Sequence, residues 1–156
     1  PTRLADLYGK RLVVCTETDE NRRLAESLSK ELTGGDKIRA RRMREDYWEF
    51  NPTAKIVLCT NHRPRVRGTD FAIWRRLREV PFDATIAPEQ QDKNLGDKLK
   101  AEASGILRWM VDGCLSWQRD GLQTPEVIVS RTKAYQSSED VIGQFIEARC
   151  VTGSTD

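Results

Sequence analysis

Two short apolar runs constrain this chain more than any other feature. Residues 11–16 read RLVVCT and residues 55–60 read KIVLCT. Each holds four consecutive apolar side chains between polar ones, too few for a buried helix and too continuous for a strand with one wet face. Runs of this kind suit strands of a parallel sheet covered on both faces. Parallel neighbours need a crossover between them. Residues 21–32 supply one, with Leu24, Leu28 and Leu32 at helical spacing and Gly34-Gly35 as a stop. The expected class is therefore α/β, an open sheet whose working edge lies at the strand C-termini.

Residues 37–50 follow a different rule. Ile38, Ala40 and Arg42 alternate with Arg39, Arg41 and Met43; Arg44-Glu45-Asp46 forms a polar tip before Tyr47-Trp48-Glu49-Phe50. That pattern predicts a β-hairpin that projects rather than packs, because both faces carry arginine. Pro52 ends it. Beyond the second apolar run, Pro64, Gly68 and three arginines make residues 62–69 a loop. Asp70 is placed to cap one helical turn through Trp74, and residues 76–82 (RLREVPF) read as a third strand. The remainder is helical. Ile106, Leu107, Met110, Val111, Cys114 and Leu115 form a stripe expected to be core, with Gly121 past its end. Two more helices are expected at 126–136, opened by Pro125, and at 138–149, with 151–156 a frayed or truncated end.

The net charge of +2 conceals a division that bears on function. Residues 1–36 carry −1, residues 37–78 carry +8, and residues 79–156 carry −5. A basic middle between neutral and acidic ends points to a polyanion met by that segment. Cys15, Cys59, Cys114 and Cys150 are widely spaced with no CxxC pair, and are expected as reduced thiols in a core rather than disulfide or zinc ligands. No apolar run is long enough to span a membrane. The chain opens on Pro1 with no initiator Met, as a piece of a longer polypeptide would.

Three chemical groups are expected where the strands end. Glu17 leaves the first run, with Asp19 and Glu20 behind it; a rigid carboxylate there is suited to Mg²⁺ or to orienting a water, and Asp19 to capping the next helix. Asn61 leaves the second run, and a neutral amide can meet a nucleotide γ-phosphate without adding negative charge. Arg75-Arg76 precede the expected third strand; an arginine reaching a phosphate across a subunit boundary stabilises transition-state charge. His62, the only histidine, is given no catalytic role.

The order of these segments, RLVVCTETDENRRLAESLSKELTGGDKIRARR, then FNPTAKIVLCTNHRP, then TDFAIWRRLREVPF, resembles the C-terminal half of the phage and plasmid primase–helicase family, over residues 3–149. That family carries a superfamily 3 helicase, a compact relative of the AAA+ ATPases. The resemblance implies a partial AAA+-like sheet with a projecting hairpin and a C-terminal helical region. Residues 1–83 would be the C-terminal part of the ATPase core, 84–137 a helical region, and 138–156 the start of a truncated winged-helix domain. It further implies that Glu17 is the Walker B acid for Mg²⁺ and water, Asn61 sensor 1, and Arg76 the arginine finger, with Arg75 the adjacent candidate. Lys37, Arg39, Arg41, Arg42 and Arg44 would meet DNA phosphates from a hairpin lining a central pore. Tyr47, Trp48 and Phe50 are expected as an aromatic anchor at the hairpin root in preference to a base-stacking surface.

Similarity to this family also implies ATP and Mg²⁺ as cofactors of a longer protein, with none held by these residues alone, a homo-oligomeric ring (a hexamer), DNA as partner, no membrane, and a bacterial cytoplasm. The chain departs from the family's pattern in lacking the P-loop GxxxxGK[ST]: its one GK, Gly9-Lys10, is followed by Arg11. The family carries that loop upstream, on a strand that would lie between the Asn61 strand and the third one. Two strand edges are then expected to be left unpaired, and these residues alone are expected to show no ATPase activity. A non-catalytic DNA-binding or oligomerisation module of a replication initiator stands as the alternative.

Overall fold

A computed structural model describes residues 2–17, 22–68 and 70–150. The chain is α/β and divides into two compact units, residues 1–78 with 132–156, and residues 79–131.

In the first unit the two apolar runs form β1 (Leu12–Glu17) and β4 (Lys55–Thr60), paired in parallel from Leu12↔Lys55 to Glu17↔Thr60. A bond from the Lys55 N–H to the Arg11 carbonyl, 2.9 Å, starts the ladder. The predicted pairing class is present but the predicted burial is not. Leu12 is 59% exposed, Val14 57% and Val57 43%, and Cys15 and Cys59 are likewise exposed, as are Cys114 and Cys150, all four as free thiols. The reason is topological: among the described residues β1 and β4 pair only with each other, and a two-stranded parallel ribbon leaves its faces open unless other layers cover them.

The helix expected from residue 21 begins later, as α2 (Glu26–Gly34). Residues 22–24 stay extended because Arg23 bridges Arg65 and the Leu24 N–H donates to the Arg65 carbonyl at 3.0 Å. The helix ends where glycine allows it, Gly35 taking a φ of +86°. A short helix α1 (Thr2–Ala5) lies ahead of β1, and β2 (Ile38–Ala40) pairs antiparallel with β3 (Trp48–Phe50). This is the hairpin, and its root packs where the sequence suggested projection. Ile38 and Ala40 are fully buried and Phe50 nearly so, clustered with Ala5 and against Leu4, Leu7, Leu32 and Trp48. One face of the alternation is apolar, and hiding such a face yields roughly 1.5–3 kcal/mol per large side chain.

A second cluster gathers Val66, Ile73, Trp74 and Tyr135, with Leu24 and Leu77 against it. It joins the loop after β4 to α3 (Phe71–Trp74) and α6 (Glu126–Glu139). Asp70 caps α3 as predicted, its Oδ1 accepting from the Ile73 N–H at 3.0 Å. Helix α7 (Val141–Arg149) is capped in the same way by Asp140, which accepts from the Gly143 N–H at 2.9 Å.

The predicted strand at 76–82 is absent. The Arg76 and Leu77 N–H groups donate to the carbonyls of Ile73 and Trp74, so the chain is still turning there, and Pro81 cannot donate to a ladder. In the second unit α4 (Leu95–Ala101) and α5 (Ala103–Asp120) follow one another, separated by Glu102. The predicted helix α5 is present, but its stripe is not core: Leu107 is 61% exposed and Met110 59%, and α5 has no buried residue. A stripe buries only against a facing layer, and within its own unit α5 has the two-turn α4 beside its start.

Candidate functional site

Parallel pairing sends β1 and β4 out of the sheet on the same edge. Glu17 and Thr60 are Cα partners in the register, and Asn61 is the next residue. An acid and an amide separated by a long stretch of sequence thus leave neighbouring strand ends. The two segments pair again further on, where Arg23 bridges Arg65 and the Arg65 N–H donates to the Arg22 carbonyl at 2.8 Å. Glu17 and Asn61 therefore fall between two points at which their segments are tied. The Thr60 hydroxyl fixes the turn at Asn61, accepting from the His62 N–H (3.2 Å) and donating to the His62 carbonyl (2.8 Å). Asn61 is exposed. The Glu17 side chain, Asp19 and Glu20 lie outside the described residues, and so does the predicted Asp19 cap.

Beyond this turn the N–H groups of residues 65–68 and the carbonyls of Pro64, Arg65 and Gly68 are all held. Glu26 Oε1 accepts from the N–H groups of Arg67 (2.8 Å) and Gly68 (3.1 Å), and Glu139 Oε2 from that of Val66 (2.9 Å). The Tyr135 hydroxyl donates to the Pro64 carbonyl, and the Trp74 indole N–H to that of Gly68 at 2.9 Å. Trp74 and Tyr135 meet edge to face, ring centroids 5.1 Å apart. Sequence reasoning missed these four clamping residues. Tyr135 and Glu139 lie 71 and 73 positions from their partners, and no local pattern marks such a pairing.

The two arginines after α3 differ. Arg75 is exposed. Arg76 is half-buried and folded back: its Nη1 donates to the Ala72 carbonyl, its Nη2 lies beside Gly34, and its buried Nε has no hydrogen-bond partner among the described residues. Asp70 ties α3 to α2 through Lys30, Nζ to Oδ2 at 2.7 Å. That ammonium, with the Ile73 N–H, holds the Asp70 carboxyl below the usual carboxylate range.

On the hairpin, Lys37, Arg39, Arg41, Arg42 and Arg44 are all exposed. The Arg39 and Arg41 guanidinium groups lie 4.5 and 5.1 Å from the Tyr47 ring centroid. Arg44 forms the tip with a φ of 64°. Glu49 opposes Arg39 in the register, so part of the charge is balanced locally. Trp48 and Phe50 contact Tyr8 edge-on at 4.8 and 5.6 Å, an anchor at the hairpin root. Among the described residues no three His, Cys, Asp or Glu side chains gather as a metal cage. No helix among them is long and apolar enough to cross a membrane.

Residues 2–76 match a family described as a family of unknown function (DUF5906). Longer matches come from individual viral proteins. "Putative helicase L207/L206" of Acanthamoeba polyphaga mimivirus is 27% identical over 160 residues, covering 92% of this chain and 17% of the relative. "Putative helicase 022R" of Frog virus 3 is 26% identical over 156 residues, covering 89% and 16%. "Putative primase C962R" of African swine fever virus is 27% identical over 164 residues, covering 93% and 17%. The likeness is to viral proteins named as helicases or primases. This chain spans about one sixth of the length of these relatives. All three belong to viruses named for amoebal or animal hosts, which gives the expected phage and bacterial setting no support.

Proposed function

We propose that this chain is part of a DNA-replication helicase–primase protein and carries half of an ATP-hydrolysing site of the superfamily 3 kind. In this reading the Glu17 carboxylate orients the attacking water, and the Asn61 amide donates to the γ-phosphate without repelling it. An arginine from a neighbouring subunit of a ring, taken as a hexamer, stabilises the transferring phosphoryl group. Arg75 and Arg76 are the candidates; Arg75 has the exposure such a reach needs, whereas Arg76 is spent on its own helix. Mg²⁺ would arrive with the triphosphate and neutralise its oxygens, with Glu17 the acid expected beside it. The β- and γ-phosphates need a cradle from residues other than these. Lys37, Arg39, Arg41, Arg42 and Arg44 would grip the DNA backbone, and hydrolysis would move the hairpin along it.

One observation supports this reading above the rest: the parallel register that makes Glu17 and Thr60 partners, with Asn61 next. Residues bearing an acid and an amide, from distant segments, then leave the sheet side by side on one edge. The test uses the longer protein that contains this chain. Glu17→Gln and Asn61→Ala are expected to keep ATP binding and lose about 10²-fold or more in turnover. Arg75→Ala is expected to lose turnover only in oligomers, and mixing it with Glu17→Gln subunits to restore a fraction. Equal loss of binding and turnover would put these residues in folding and refute the assignment.

A further inference from the structure

The three aromatic residues that close the hairpin do not act alike. Trp48 and Phe50 share the apolar face with Ile38 and Ala40 and meet Tyr8 at the root. Side chains alternate along extended chain, so Tyr47 falls on the opposite face, with Arg39, Arg41 and Glu49. It is 47% exposed where Phe50 is 6%, and so departs from the anchor expected of it. Its ring is met instead by two guanidinium groups, Arg39 at 4.5 Å and Arg41 at 5.1 Å from the centroid, both within cation–π range. Arg39 and Arg41 stand two residues apart, which sets their stems about 6.7 Å from one another, and a single ring on the facing chain gathers both. Glu49 opposes Arg39 in the register and lowers the local charge, yet among the described residues it forms no ion pair with either guanidinium. The ring's quadrupole offsets only part of the repulsion between the two cations, and an anion reaching both would offset the rest. A guanidinium lying over a ring keeps its in-plane N–H donors available for that anion.

We propose that Tyr47 is a positioning residue for nucleic-acid binding: its ring holds Arg39 and Arg41 as a preset pair for the phosphates of a single strand, and itself touches neither phosphate nor base. The inference rests on the proposed function in taking the hairpin as the element that grips DNA, and it separates the aromatic that orients the grip from the arginines that make it. An arginine loose in solvent samples many rotamers and must be ordered when it binds, whereas one already lying on a ring has part of that ordering in place. Tyr47 therefore adds affinity without adding charge. Removing its ring leaves the number of phosphates met unchanged, and with it the salt dependence, while binding weakens at every salt concentration. The ring face carries this role and the hydroxyl does not.

The experiment is fluorescence anisotropy of a labelled oligothymidylate with this chain across a salt series. Tyr47→Ala and Tyr47→Leu are expected to bind about fivefold or more weakly, the effect of ordering two arginine side chains at binding, with the slope of log K against log salt unchanged. Tyr47→Leu keeps apolar bulk at the position and carries the comparison should Tyr47→Ala not fold by circular dichroism. Tyr47→Phe keeps the ring and should restore most of the affinity. Arg39→Ala/Arg41→Ala is expected to flatten the slope by about 1.4, at about 0.7 for each phosphate no longer neutralised. If that double variant flattens the slope while Tyr47→Ala and Tyr47→Leu bind as the unsubstituted chain does, the hairpin reading stands and the role of Tyr47 is overturned. If the double variant leaves the slope unchanged, or the unsubstituted chain does not bind, the hairpin reading falls and the role of Tyr47 falls with it. A fall in Tyr47→Phe as large as in Tyr47→Ala would move the role to the hydroxyl and overturn the proposal. The same weakening is expected on an abasic strand of equal length; a loss confined to oligothymidylate would make Tyr47 a base-stacking residue and overturn it as well.

Discussion

Replacing Glu26 by alanine tests the clamp on which the strip after Asn61 depends. One carboxylate oxygen accepts from two backbone N–H groups, at 2.8 and 3.1 Å. A hydrogen bond to a charged group nets roughly 1.5–3 kcal/mol when sheltered, and less where water can replace it. Arg67 is exposed and Gly68 half-buried, so the first bond counts near zero and the second near its full value. The expected loss in Glu26→Ala is therefore about 2 kcal/mol, read as a lower urea midpoint with an unchanged m-value. In thermal melting it corresponds to about 4–8 °C for a chain of this size. Gly68 sharpens the test, because a Cβ there would meet Glu26 Oε2 at 2.5 Å. Gly68→Ala should therefore destabilise the native chain and cost much less in the Glu26→Ala background, a coupling that a double-mutant cycle measures. A loss below about 0.5 kcal/mol, the size of an ordinary surface substitution, would mean that Trp74, Tyr135 and Glu139 hold the loop without Glu26. Additive effects of the two substitutions would refute the contact itself.

Trp74→Phe keeps most of the buried ring and strands the Gly68 carbonyl, so a loss of about 1–3 kcal/mol is expected by denaturant unfolding. Asp70 is held below the usual carboxylate range by Lys30 and then by the Ile73 N–H, so its contribution is complete above the unfolded carboxylate range and drains as pH falls through the lower folded value. Asp70→Ala should accordingly show a shallower acid limb in stability against pH, and an acid limb identical to that of the unsubstituted chain would contradict this. Phe50→Ala empties part of the hairpin's packed face, with about 3 kcal/mol expected to be lost, whereas Arg41→Ala/Arg42→Ala should stay within about 0.5 kcal/mol. Gly35→Ala, at a φ of +86°, should cost about 1 kcal/mol or more; no change would mean that the C-terminus of α2 tolerates strain.

Local chemistry was legible wherever a few neighbouring residues decide it. RLVVCT and KIVLCT have side chains for no other regular element and become β1 and β4; Asp70 caps its helix; Gly35 ends α2; Arg44-Glu45-Asp46 lies between β2 and β3. The parallel pairing of β1 with β4 was read correctly, but burial, which depends on a distant covering layer, was misread. Burial of Val14 and Val57 needs a covering layer, and burial of the α5 stripe needs a facing helix; neither can be read from the stripe itself. The hairpin's apolar face was overlooked because arginine dominates the count, although Ile38, Ala40 and Phe50 share one side.

The sequence by itself therefore determined the elements and the chemical character of their ends: an acid after one strand, an amide after the other, arginine on the hairpin and on the strip. The tertiary structure alone decided which of these meet. It set β1 beside β4 in parallel so that Glu17 and Asn61 leave one edge, and it brought Glu26, Tyr135 and Glu139 to a loop that none of them adjoins in the chain. The physical reason is range. Side-chain alternation, caps and glycine stops act over a few residues, whereas the clamps from Glu26 and Tyr135 join groups 41 and 71 positions apart, whose energies appear only once the chain has closed.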